Sequence, residues 1–169
     1  MKNTISILFV TVCFLFVSST IINLDRWDYE YSNFIDIRGL NSKVFWIKGE
    51  QRGIVALFKN KDINGLIFEI TFGLYNNKHT QLRTEYTRSA VNETSHPALL
   101  LNAKEFKPYW IEWNGNKIVL GDGMVPGSGQ TTLSGVNTIM DDIQFNYLGI
   151  RTSSIPVSYI LELSTCRKN

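Results

Sequence analysis

From Tyr31 to Leu163 the chain is a succession of short runs rich in Ile, Val, Phe, Tyr and Trp, each closed by turn-forming residues. Side chains of these types fit a pleated, half-buried surface, and several runs alternate apolar with polar, the period of a strand with one face in a core. The spacing predicts strands over Tyr31–Arg38, Val44–Lys48, Ile54–Phe58, Leu66–Leu74 and Thr80–Thr87, then Ala98–Leu101, Tyr109–Trp113, Lys117–Leu120, Phe145–Arg151 and Val157–Leu163. Arg38-Gly39, Lys48-Gly49, Asn64-Gly65, Asn76-Asn77, Asn114-Gly115 and the Gly121–Gly135 stretch read as the connections. Neither a sustained helical period nor an internal repeat interrupts the pattern. The expected fold is all-β: one antiparallel β-sandwich of the jelly-roll or lectin-like kind. With 169 residues, 44% hydrophobic and 19% charged, the chain can bury a single core, and disorder is excluded.

One hairpin can be read in detail. Asn114-Gly115 between two apolar runs suits a two-residue type I′ turn, in which both central residues need φ > 0. That turn pairs Trp113 with Asn116, Glu112 with Lys117, Ile111 with Ile118, Trp110 with Val119 and Tyr109 with Leu120. Tyr109, Ile111, Trp113, Ile118 and Leu120 then face the core, while Trp110, Glu112, Lys117 and Val119 face away from it.

The first residues are different in kind. Lys2 supplies one positive charge, Ile5–Val17 is apolar apart from Thr11, and Ser18, Ser19 and Thr20 follow as small residues. The apolar run falls short of the ~20 residues that span a bilayer, so residues 1–19 are expected to be a signal peptide cleaved after Ser19, with 20–169 as the sandwich domain. No membrane span is expected elsewhere. The formal charge is +2 and falls nearly to zero without Lys2, which argues against nucleic acid as a partner. Cys13 lies in the leader, so Cys166 is the single cysteine of the mature chain: free, buried, or available for an intermolecular bond such as that of a disulfide-linked homodimer. Asn92-Glu93-Thr94 is the sole N-glycosylation sequon and suggests an exposed loop at Asn92.

The strand-turn-strand Tyr109-Trp-Ile-Glu-Trp-Asn-Gly-Asn-Lys-Ile-Val-Leu-Gly121 resembles the central signature of the domain family named after farnesoic acid O-methyltransferase. So do Val44-Phe-Trp-Ile-Lys48, then Gly65-Leu-Ile-Phe-Glu-Ile-Thr-Phe-Gly73 with Asn77, and Tyr147-Leu-Gly-Ile-Arg-Thr152. The resemblance covers residues 43–152. It implies a domain found largely in invertebrates, alone or joined to other extracellular or lectin-like modules, with a founding member named for methylating farnesoic acid. No catalytic residue of that family carries over. The usual methyl donor, S-adenosylmethionine, is most often held by a parallel α/β sheet with a Gly-rich loop before a helix. Gly121–Gly129 is Gly-rich but contains Pro126 and precedes no helical pattern, so it reads as a flexible connection.

Among single residues, Trp110 is the first candidate for binding, with Glu112 and Lys117 on the same face, because an outward aromatic ring makes a platform for sugars or proteins. A covering loop is the competing reading. Asp122, Asp141 and Asp142 could join backbone carbonyls around calcium, although loop carboxylates more often form turns or caps. His79 and His96 have no metal-ligand spacing to each other or to Cys166. No cofactor is expected. The expected function is a secreted, extracellular binding module for a glycan or a protein. The alternative is a farnesoic acid O-methyltransferase-like enzyme, or a binder of such lipids.

Overall fold

A computed structural model describes residues 18–25, 30–84, 90–138 and 143–163. Twelve strands lie among these residues: β1 Ser18–Leu24, β2 Asn33–Asp36, β3 Ser42–Gly49, β4 Gly53–Phe58, β5 Leu66–Gly73, β6 His79–Thr84, β7 Ala90–Thr94, β8 Lys107–Asn114, β9 Lys117–Asp122, β10 Thr132–Val136, β11 Tyr147–Thr152 and β12 Val157–Leu163. They form two six-stranded sheets, β1-β12-β3-β8-β9-β10 and β2-β11-β4-β5-β6-β7. Every pairing is antiparallel. The expected sandwich is therefore present.

The inner faces meet in an aromatic core. Phe72 and Tyr109 lie 4.6 Å apart between ring centroids, Phe45 packs 6.1 Å from Phe72, and Trp113 meets Phe145 edge-on at 5.9 Å. β3 shows the strict alternation that one buried face demands, from Ser42 to Gly49. β5 departs from it. Phe68, Ile70 and Phe72 are core, but a register shift between Leu57 and Phe58 leaves Leu66 half-buried and brings Ile67 into the core cluster.

Three strands carry no clear signal in the sequence. All but the last residue of β7 are exposed, β10 overlaps the end of the glycine-rich stretch, and β1 spans the expected cleavage site after Ser19. Ser18 and Ser19 pair with Leu163 and Glu162. Residues 1–17 of the expected signal peptide lie outside the described residues, and no described helix is long and apolar enough to cross a membrane. Ala98–Leu101 is a correction: Pro97–Leu99 is a short 3-10 helix, not a strand. Pro97 has no N–H to give a ladder, and the His96 side chain accepts from Ala98 N at 3.3 Å, capping the turn.

The hairpin register is also corrected. Asn114 pairs with Lys117, Trp113 with Ile118, Glu112 with Val119, Ile111 with Leu120 and Trp110 with Gly121. The turn is centred on Gly115-Asn116, with φ of +56° at Gly115 alone, as in a type II′ turn with glycine first. Glu112 and Lys117 are not opposite each other. The cause sits further along: a Cβ at position 121 would lie 2.2 Å from Trp110 Cζ2, so the indole needs glycine beside it and Val119 cannot fill that place. A shift of one residue on each strand preserves the faces, and Tyr109, Ile111, Trp113, Ile118 and Leu120 are buried as expected.

Candidate functional site

The outer face of the second sheet carries what the alternation pattern hid. Since Leu148, Ile150, Val55, Leu57, Phe68, Ile70 and Leu82 point inward, the residues between them point out. One row across this face runs Gly149, Ala56, Glu69, Arg83 on β11, β4, β5 and β6. The two small residues leave a trough beside Glu69, a carboxylate only 2% exposed.

A buried charge must be paired and hydrogen-bonded to persist. Glu69 is saturated. Its Oε1 takes an ion pair from Arg83 Nη2, and its Oε2 accepts from Tyr31 O–H at 2.6 Å and from Arg151 Nη2 at 2.9 Å. Burial by itself would raise the Glu69 carboxyl, but the Arg151 charge, the Tyr31 and Arg151 hydrogen bonds and the Arg83 charge outweigh it and hold the group below the usual carboxylate range. Burial, reinforced by Glu69, pushes the Tyr31 hydroxyl well above its ordinary value, so it stays a donor.

Tyr31 reaches this position from the segment preceding β2, which lies over the sheet. The Arg151 guanidinium sits 5.1 Å from the Tyr31 ring centroid. Tyr31 meets Phe58 edge-on at 4.7 Å and Phe34 meets Phe58 at 5.1 Å. Gly149 is the floor of the trio: a Cβ there would lie 2.8 Å from Phe58, 3.1 Å from Tyr31 and 3.2 Å from Phe34. From inside the sandwich, Tyr159 of β12 donates its hydroxyl to Arg151 O at 2.8 Å and accepts from Ile54 N at 2.6 Å. The opposite sheet thus fixes the backbone that carries Arg151. Beside the cluster opens a cleft of about 520 Å³ lined by Glu30, Tyr31, Phe34, Asp62, Ile63 and Arg151.

The residues singled out by sequence lie elsewhere. Trp110 is on the outer face of the first sheet, as expected, but only 1% exposed: the loop after β9 covers it, and its indole N–H donates to Asp122 O at 3.0 Å and Ser128 O at 2.8 Å. It is no platform. Glu112 is half-buried and Lys117 exposed on that sheet, two residues apart in register. Asp122 is a brace for the same loop, its carboxylate accepting from Gln130 N at 2.9 Å and Thr131 N at 3.0 Å. Asp141 and Asp142, the other two residues of the calcium reading, lie outside the described residues, as does Cys166. No group of three metal-ligating side chains occurs among the described residues. His79 is half-buried and packs edge-on to Tyr75 at 5.6 Å, and His96 is the cap described above. Asn92 is exposed, on strand β7 rather than on a loop.

Sequence reasoning passed over Tyr31, Phe34, Glu69, Arg83 and Arg151. The available signal was Glu69 itself, the single charge inside Leu66–Gly73, and the Gly149-to-Arg151 spacing, which puts a gap and a cation on one face.

The antiparallel two-sheet sandwich is a fold shared with solved β-glucanases. A β-glucanase of Bacillus licheniformis matches over 89% of this chain and 82% of its own, at 12% identity and a TM-score of 0.50. A prokaryotic β-1,3-1,4-glucanase (lichenase) from a mouse hindgut metagenome matches over 88% and 83%, at 9% identity and 0.51. A toad ovary galectin in complex with N-acetylgalactose matches over 81% and 96%, at 11% identity and 0.44. At such identities the likeness is one of fold alone. No curated protein matches the sequence. The chain belongs to the farnesoic acid O-methyl transferase family, whose sequence profile matches residues 25–164. Two of the resembling segments, Gly65–Gly73 and Tyr147–Thr152, supply Glu69 and Arg151 to the same cluster.

Proposed function

We propose that the protein is a secreted glycan-binding module that takes its sugar in the cleft on the outer face of the second sheet. The observation that carries this reading is the Tyr31–Glu69–Arg151 constellation. It fixes an aromatic ring, with a guanidinium held over it, in the wall of an amphipathic cleft. A sugar offers an apolar C–H face and a rim of hydroxyls. Rigid rings and Ile63 suit the first, and charged hydrogen-bonding groups suit the second. Order supplied in advance lowers the entropy lost on binding. The shared fold of two enzymes named for β-glucans is associational support.

Binding is favoured over hydrolysis at this cluster. Glycoside hydrolysis needs one carboxyl kept protonated near neutral pH. Glu69 is held ionised with both oxygens engaged, which suits a structural anchor and not a general acid. Methyl transfer to farnesoic acid, the meaning of the family's name, would need an apolar channel. The space between the sheets is filled by Phe45, Phe68, Phe72 and Tyr109.

A glycan array probed with the secreted protein and with Ile63→Asp tests the reading. Ile63 is 57% exposed, so the change spares the core. The expected result is a defined set of sugars bound by the wild type and lost in the variant. An empty array, binding indifferent to Ile63→Asp, or saturable binding of S-adenosylmethionine in a parallel titration overturns it.

A further inference from the structure

The sandwich has an open seam. β7 is the last strand of the second sheet and β10 the last of the first, and the two lie side by side. Gly135 of β10 faces into this junction, where a Cβ would lie 2.5 Å from Leu82 and 3.2 Å from Val91. The seam is stapled by one side chain: Asn92 Nδ2 donates to Ser134 O at 3.0 Å, from the edge of one sheet to the edge of the other. Asn92 Oδ1 meanwhile accepts from Glu93 N at 2.9 Å, so the amide plane is fixed. Among the described residues β7 and β10 each end a sheet, and these edges, flanked by Val91 at 36% and Val136 at 42% exposure, offer a template for pairing with another chain.

Asn92 is also the sequon asparagine, with Thr94 two residues on. We propose that Asn92 carries an N-linked glycan that shields this seam and keeps the domain from associating edge to edge. The chemistry is compatible with the staple. Attachment of a sugar to Nδ2 replaces one of its two hydrogens, and the other continues to donate to Ser134 O. The glycan then leaves the protein from a fixed plane, between the two edge strands and next to Val91. A bulky, hydrated group there blocks the approach of a strand as edge lysines and prolines do in other sheets.

The experiment uses the full chain expressed in animal cells, in a Cys166→Ser background so that disulfide exchange plays no part. Peptide mapping reports occupancy at Asn92, and light scattering during gel filtration reports mass. The expected result is an occupied Asn92 and a monomer. Thr94→Ala removes the sequon, keeps the Asn92 staple and is expected to double the particle mass as concentration rises. A third variant, Val136→Lys in the Thr94→Ala chain, is expected to restore the monomer by charging the edge. Trimming the folded wild type with an endoglycosidase guards against misfolding of Thr94→Ala and is expected to shift the mass in the same direction. An unoccupied Asn92, or a monomer at every concentration for both the Thr94→Ala chain and the trimmed protein, overturns the proposal.

Discussion

Glu69 and Arg151 sit on strands that are not neighbours, yet Arg151 Nη2 stands 2.9 Å from Glu69 Oε2 across β4. Ala56 is the residue of β4 in register with Glu69, and its small side chain permits the crossing. On the other side Arg83, directly opposite Glu69 on β6, completes an Arg–Glu–Arg arrangement, and Tyr31 closes it from above. Removing one member of a buried ionic cluster leaves the others uncompensated, which costs far more than the cluster contributes as a whole.

Glu69→Ala is therefore expected to cost about 3–5 kcal/mol in urea unfolding. The pH dependence has a definite sign. The folded carboxyl titrates below its unfolded value of about 4.3, so its contribution is complete above that value and is lost as pH falls through the folded one. Unfolding measured from neutral pH downward should show the wild type losing stability on acidification, with Glu69→Gln showing a shallower loss over the same range. Equal slopes would mean that Glu69 is not held ionised.

Gly149→Ala tests the floor of the aromatic trio. The added methyl meets Phe58, Tyr31 and Phe34 at once, and overpacking of this kind costs about 1–3 kcal/mol. Since Tyr31 also forms the cleft wall, glycan affinity should fall with stability. Unchanged affinity would place the sugar away from Tyr31.

How much of this was legible follows from what alternation can and cannot report. β3, β8 and β12 have one face in the core, so their residues sort by parity, and even a misplaced turn left Ile111 and Trp113 correctly buried. Parity says nothing about which strands become neighbours. Glu69 meets Arg151 only because β11 enters the second sheet beside β4, a pairing between segments far apart in sequence. Trp110 failed for a related reason: its face was right, but the cover comes from Gly123–Ser128, a stretch without periodicity. Edge strand β7 was invisible because exposed strands need not alternate.

The corrected turn gives a sharp comparison. Gly115 has φ of +56°, and a Cβ added there would meet nothing within 4 Å, so Gly115→Ala is opposed by backbone strain alone, about 1–2 kcal/mol. Asn114 belongs to the strand and needs no positive φ, so Asn114→Ala should cost well under that. Similar losses at both positions would restore the type I′ turn. Ile111→Ala, at a fully buried site, should cost about 2–5 kcal/mol in the same assay.

Tyr159→Phe connects the core to the cleft. Tyr159 is fully buried on β12 of the first sheet, and its hydroxyl bonds backbone groups of β4 and β11 in the second. Removing that oxygen keeps the ring and its packing but takes away the buried acceptor of Ile54 N–H and the hydroxyl that donates to Arg151 O. An unsatisfied buried polar group costs about 1–3 kcal/mol. Stability should fall by that amount with no change in the denaturant slope, since the surface exposed on unfolding is the same. Arg151 loses a backbone anchor as well, so glycan binding should weaken in Tyr159→Phe. Tyr109→Phe is the control: its hydroxyl donates to Leu100 O at 2.8 Å, in the first sheet's own surroundings, and its loss should lower stability without touching affinity. If the two variants reduce affinity equally, the effect belongs to general loosening of the sandwich and not to the hold of Tyr159 on Arg151.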